Sequence, residues 1–279
     1  MVYASILENR AVVALGGPEA RDFLQGLITN DMDACREGHA IYAALLTPQG
    51  KILFDFLVVP SGENHWLIDC AASRAGDLIK RLMLYRLRAK VEIVPRSDSA
   101  VAAIWDHGSA IDTQSDAIVF SDPRLNKLGL RMIGPRAVLD AATAGFQHGD
   151  YEAHRLELGV PDSADLPPDQ VFALDAGFEE LDGVSFRKGC YVGQEVTARM
   201  KHRSSARKRF LLADIHGEIP FGTPLEAAGR ELGTLASAKD GRALALVRLD
   251  RLEDAQAAQT PITAAGHEVI LRRPDWLKL

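Results

Sequence analysis

Lys188-Gly189-Cys190-Tyr191-Val192-Gly193-Gln194-Glu195 sets one cysteine among a cation, amide and carboxyl side chains and two glycines. The glycines allow backbone angles that other residues resist, and the polar neighbours place proton donors and acceptors around the thiol. The pattern predicts a helix that begins after Gly193 and runs from Gln194 to Met200. A thiol near the positive end of that helix, with Arg187 and Lys188 close in sequence, stands in a setting that favours thiolate. Cys190 is therefore the first candidate for a reactive atom. Cys35 and Cys70 lie in apolar runs and read as small buried hydrophobes. No histidine adjoins Cys190, so a protease-type Cys-His pair is unsupported.

On the N-terminal side of this motif, helix and strand patterns come mixed. Gly16-Gly17-Pro18 opens a helix carrying Ala20, Phe23, Leu24, Leu27 and Ile28 at helical spacing, expected to end near Asn30-Asp31. Strand-like runs follow at Ile41 to Leu46, Ile52 to Val59 and His65 to Asp69, separated by turn compositions, and together they predict an antiparallel meander. Leu78, Ile79, Leu82, Met83 and Tyr85 give a second amphipathic helix leading to a strand around Val91 and Ile93. Further strands are expected at Val101 to Trp105, Ile118 to Phe120 and Leu128 to Ile133. Asp150 caps a helix that Gly159 and Pro161 terminate. From Pro161 to Gly183 the composition is that of loops.

On the C-terminal side, the basic stretch from Arg199 to Arg209 reads as a domain junction. Beyond it come short strands at Phe210 to Ile215, Leu232 to Ala236, Ala243 to Leu249 and Glu268 to Leu271, divided by glycine-containing turns. These predict a separate small β-barrel or sandwich. The expected domains are thus 1–202, of mixed α and β, and 203–279.

Composition narrows the chemistry. The chain has 279 residues, 47% hydrophobic and 25% charged, with a net charge of -6. That balance is ordinary for a globular protein, and the negative charge argues against direct nucleic-acid binding by the whole molecule. No uncharged apolar run approaches the roughly 20 residues that span a bilayer. Three scattered cysteines suggest a reducing compartment, and the first ten residues show neither a basic leader nor a long apolar region, so a cytoplasmic protein is expected. Phosphate-loop, dinucleotide-binding and His-Glu-x-x-His zinc patterns are absent, and the cysteines are too few to hold an iron–sulfur cluster alone. No metal site is expected.

The motif around Cys190 resembles the signature of the YgfZ-type folate-binding proteins, relatives of the glycine-cleavage T-protein and of a mitochondrial iron–sulfur assembly factor. The resemblance extends through Phe23-Leu24-Gln25-Gly26-Leu27-Ile28-Thr29-Asn30-Asp31, Tyr85-Arg86-Leu87-Arg88-Ala89-Lys90-Val91 and Arg155-Leu156-Glu157-Leu158-Gly159-Val160-Pro161. In the C-terminal part it includes Glu231 to Ser237 and Ala243 to Arg248. It implies an α+β protein shaped as a ring of three domains, two α+β lobes and a C-terminal β-barrel, with a tetrahydrofolate site opening toward the middle. It also implies a monomeric accessory protein for iron–sulfur cluster assembly or repair, whose partners are cluster-containing client proteins or assembly factors, including enzymes that modify tRNA. Ordinary catalysis is not implied.

By this resemblance Glu157 matches a T-protein glutamate that can pair with a pterin in bidentate fashion. Asp55 and Asp69 fall where the T-protein has folate-site residues, but one carboxylate stands in place of a pair, and an aspartate in place of an asparagine. Those departures put aminomethyl transfer in doubt. A folate-dependent one-carbon transferase remains the alternative reading, and a redox or scaffold protein using Cys190 without folate is a third. Arg203, with Arg199, Lys201, Arg207, Lys208 and Arg209, reads either as a solvated linker or as a receptor for the glutamate tail of folate or an acidic client face.

Overall fold

The computed structural model describes residues 1–106, 116–203 and 207–278. In chain order these form β1 (Tyr3–Ile6), β2 (Arg10–Gly16), α1 (Ala20–Gln25), β3 (Ile41–Leu46), β4 (Ile52–Gly62), β5 (His65–Ala71), α2 (Ala75–Arg86), β6 (Glu92–Pro95), β7 (Ser99–Trp105), β8 (Ile118–Ser121) and β9 (Leu130–Pro135). There follow α3 (Arg136–Thr143), β10 (Gln147–His148), α4 (Tyr151–Leu158), α5 (Gln194–His202), β11 (Lys208–Ile215), β12 (Pro224–Ala227), β13 (Arg230–Lys239), β14 (Arg242–Arg248), α6 (Leu249–Ala257), β15 (Thr263–Ala264) and β16 (His267–Arg272).

Three units result. One five-stranded sheet has the order β3-β4-β5-β2-β6, a second has β10-β1-β7-β9-β8, and six strands close a barrel in the order β11-β14-β13-β12-β15-β16. The fold is α+β with mixed lobes and a C-terminal barrel, as the sequence predicts. The predicted meander is β3-β4-β5, antiparallel throughout.

Burial on both faces of the sheets explains the long apolar strand runs. In β3, Ile41, Ala43 and Leu45 enter a core shared with α1 and α2, while Tyr42, Ala44 and Leu46 enter a second core. Alternation with period two sends successive side chains to these two cores. The second core also takes Val101 and Ile133 from the other sheet and Phe210 and Leu244 from the barrel, so it joins all three units.

Some local expectations are corrected. The first helix stops at Gln25, not near Asn30. The Thr29 hydroxyl donates to the Gly183 carbonyl and accepts from the Ala44 amide, and Ile28 bridges Leu45, so long-range pairing takes over from helical periodicity. The strand expected from Leu128 starts at Leu130, because a short 3-10 turn over Asn126–Leu128 ends at Gly129 with φ +88. Strands β1, β2, β10, β12 and β15 and helices α3 and α6 have no counterpart among the sequence expectations.

Candidate functional site

The helix expected after Gly193 is α5, and Gly193 is its N-cap with φ +82. A Cβ at this position would lie 2.6 Å from the Thr47 carbonyl oxygen, so glycine answers both the backbone angle and the close approach. Two motif side chains turn inward. Tyr191 joins the three-unit core, and Lys188 is buried with its ammonium donating to the carbonyls of Ile28 at 2.8 Å and Asn30 at 2.7 Å. Ser185 strengthens the same contact: its amide donates to Thr29 O, and its hydroxyl accepts from the amides of Arg187 and Lys188.

Cys190 sits between these two anchors and is exposed, whereas Cys35 and Cys70 are buried. Lys188 thus serves as a clasp on the 28–30 turn. Burial draws its ammonium down to about 8, with Asp31 opposing. Gly189 and Glu195 are exposed and Gln194 half-buried. Glu195 pairs with Arg199 at 2.9 Å along α5, and the Gln194 amide closes a turn on Tyr191 O.

A second assembly lies where the two sheets meet. Arg10 donates to Asp69 at 2.6 Å, Arg131 donates to Asp69 at 2.7 Å and to Asp122 at 3.0 Å, and Arg124 pairs with Asp122 at 2.8 Å. The Tyr151 hydroxyl accepts from Arg124 and Arg131. Arg10 also reaches Asp162 at 3.3 Å, and Asp55 accepts from the hydroxyls of Ser163 at 2.6 Å and Tyr42 at 3.3 Å.

Charge and burial compete differently at each carboxyl. Burial opposes ionisation of Asp122, but Arg124 and Arg131 outweigh it and hold the group well below the usual range. Asp162 is likewise held down against burial by Arg10, Arg155 and Arg124. For Asp55, burial and then the Asp162 charge win, and its carboxyl is raised.

This network opens onto a cavity of about 730 Å³, with Arg10, Tyr151 and Asp162 in its wall and Asn9, Asp150 and Glu152 beside them. A smaller cavity of about 200 Å³ shares Asn9, Glu152, Asp162 and Ala164 with it and adds Arg74, Arg155 and Ser163. Glu152 pairs with Arg155, whose guanidinium also holds Asp165 at 2.7 Å. Asp150 caps α4 and pairs with Lys239 of the barrel.

The predicted folate residues separate. Asp55 and Asp69 come together in the buried network, each already bound to structural partners. Glu157 is exposed on α4, 3.7 Å from Arg242, and lines neither cavity. Arg203 is the exposed C-cap of α5 and also lies outside both. Sequence reasoning missed Arg10, Asp122, Arg124, Arg131, Glu152 and Asp162. One signal was present: Arg10, Asp55 and Asp69 occupy the same alternation phase as the core residues Val12, Leu57 and Leu67 of their strands.

Residues 8–105 match the GCVT N-terminal domain, and residues 207–279 match the C-terminal β-barrel domain of CAF17. The human mitochondrial iron-sulfur cluster assembly factor IBA57 is 31% identical, over 97% of this chain and 84% of that protein. The chain belongs to the IBA57 family. The mouse member is 29% identical with the same coverage of both chains. The fold is shared with the glycine cleavage system aminomethyltransferase T from Bartonella henselae, at a TM-score of 0.76 and 15% identity over 99% of this chain and 86% of that one.

The family corrects the expected cytoplasmic location, since the human, mouse and Neurospora crassa members are named as mitochondrial. Scarce, scattered cysteines report a reducing environment, which is not confined to one compartment.

Proposed function

We propose that this chain is an accessory protein for iron–sulfur cluster assembly or repair that binds reduced folate between its lobes and works through the Cys190 thiol. The carrying observation is the full-length similarity to proteins named as iron–sulfur cluster assembly factors, combined with a single exposed cysteine held between two anchored residues. An ionised thiol is both a nucleophile and a soft ligand, suited to a cluster delivered as cargo. Clients include cluster enzymes that modify tRNA.

The lobe cavity fits a reduced folate by size, about 730 Å³ against the roughly 300–1,000 Å³ usual for small-molecule sites. Its wall also carries both charge signs. Glu152 lines both cavities; its two oxygens hold Arg155, but unlike the buried Asp55 and Asp69 its side chain is partly exposed and keeps lone pairs open to pterin N–H groups, while Arg74 of the smaller cavity suits the carboxylates of the glutamate tail. Folate when bound would supply one-carbon or reducing chemistry, and the paired Arg10 and Asp162 would offer it fixed charges of both signs in the cavity wall. Region 1–202 carries this site and 203–279 the barrel, in a monomer.

Two measurements test the reading. Calorimetric titration with tetrahydrofolate should show binding that Glu152→Gln weakens by about 1.5–3 kcal/mol, the worth of a hydrogen bond to a charged group. Loss through Glu157→Ala with Glu152→Gln unaffected would move the site to the outer face of α4. In cells lacking the protein, Cys190→Ser should fail to restore activity of a cluster-containing tRNA-modifying enzyme; full restoration would remove the thiol from the function.

A further inference from the structure

Helix α2 begins beside the smaller cavity, which includes Ser73 and Arg74, and its other end presents an unusual surface. Leu87 caps the helix with φ +46 and ψ -106 and is 85% exposed. A leucine resists this positive-φ conformation, and nothing in its own burial compensates. Leu84 and Met83, three and four residues earlier in the last turn of α2, are exposed as well. The fold therefore holds an apolar knob in water at a backbone cost.

The knob is ringed by cations. Arg86, Arg88 and Lys90 line a surface cavity of about 450 Å³ beside Leu87, with Glu92 as the acid in its wall. The Arg86 guanidinium donates to Val91 O, and the Glu19 carboxylate is occupied by the Lys90 amide. Among the described residues, the side chains of Arg88 and Lys90 make no ion pair. In a chain of net charge -6, an unpaired basic cluster around exposed leucines is complementary to acidic, partly apolar protein surface.

We propose that the 83–90 corner is a docking site for an acidic segment of a partner protein, with Leu87 as the apolar anchor and Arg88 and Lys90 as its charge contacts. Nucleic acid is the poorer fit. Leucines occupy the centre of the patch, and its one aromatic ring, Tyr85, packs against the core of the first sheet and is not free to stack on bases.

The test uses the full chain and a fluorescein-labelled synthetic peptide of glutamate and leucine residues, with a single-stranded RNA oligonucleotide as comparison. Anisotropy at low salt should show peptide binding that weakens as salt screens the charges. Arg88→Glu with Lys90→Glu should lower affinity at least about tenfold, and Leu87→Gly by about tenfold through loss of a buried leucine. Glycine relieves the backbone, so Leu87→Gly should at the same time melt higher than the parent, separating lost binding from lost folding. Unchanged affinity in Leu87→Gly, a lower melting temperature for it, absence of peptide binding, or tighter binding of the RNA would each overturn the proposal.

Discussion

Arg131 of β9 and Asp69 of β5 meet at 2.7 Å across the junction of the two sheets, with side chains 1% and 0% exposed. The pair is a corner of a continuous chain, since Asp69 also takes Arg10 and Arg131 also takes Asp122. The two lobes are thus joined by charge as well as by their shared apolar core.

Removing one member of this chain should be far worse than removing a surface ion pair. Arg131→Met strands Asp69 and Asp122 with one fewer cation in a dry site, a loss of about 3–5 kcal/mol. Urea unfolding would measure it. The surface variant Arg136→Met, which breaks exposed pairs to Glu8 and Asp140, should change stability by less than about 1 kcal/mol. Equal effects would show the buried chain to be energetically idle.

Acid should unfold the protein through the same groups. Asp122 and Asp162 are depressed in the folded state, so their contribution is complete above the unfolded carboxylate pKa of about 3.9 and is lost as pH falls toward the folded values. Asp55 has the opposite sign: its raised carboxyl costs stability as pH rises through the folded value. Asp55→Asn should therefore hold or raise stability at pH 7 while doing so less at pH 4. Denaturation curves at the two pH values check the crossing.

Thiol labelling should distinguish the three cysteines. Burial pushes both Cys35 and Cys70 up to about 12, and neither is exposed. One thiol per folded chain should react promptly with a disulfide reagent at pH 7.5, and Cys190→Ser should abolish that fast phase. All three should react once the chain is unfolded. A fast phase that survives the serine variant would contradict the observed exposure.

Lys188→Met should loosen the motif from the 28–30 turn. Two carbonyls lose a charged donor, at a cost of about 1.5–3 kcal/mol. Because the folded ammonium is drawn down to about 8 from an unfolded value of about 10.4, this group makes stability rise with pH across that interval. The difference between parent and variant should widen accordingly from pH 8 to pH 10, as read by urea titration.

Local pattern alone determined much of this molecule: the apolar runs and intervening turns of β3, β4 and β5, the Asp150 cap and Gly159 stop of α4, and the Gly193 start of α5 all follow from rules acting within a few residues. The motif and its likeness to a family brought the three-unit fold and Cys190 into view. Tertiary structure decided the rest. Only the folded chain pairs β1 with β7 and places Arg10 against Asp69 and Asp162, contacts separated by up to 152 residues. A buried charge is tolerable only beside its partner, and which distant strand supplies that partner is a property of the packed sheets, not of either segment. Lys188 makes the same point, since a thiol lies two residues along the sequence while its ammonium is held by carbonyls 158 and 160 residues away.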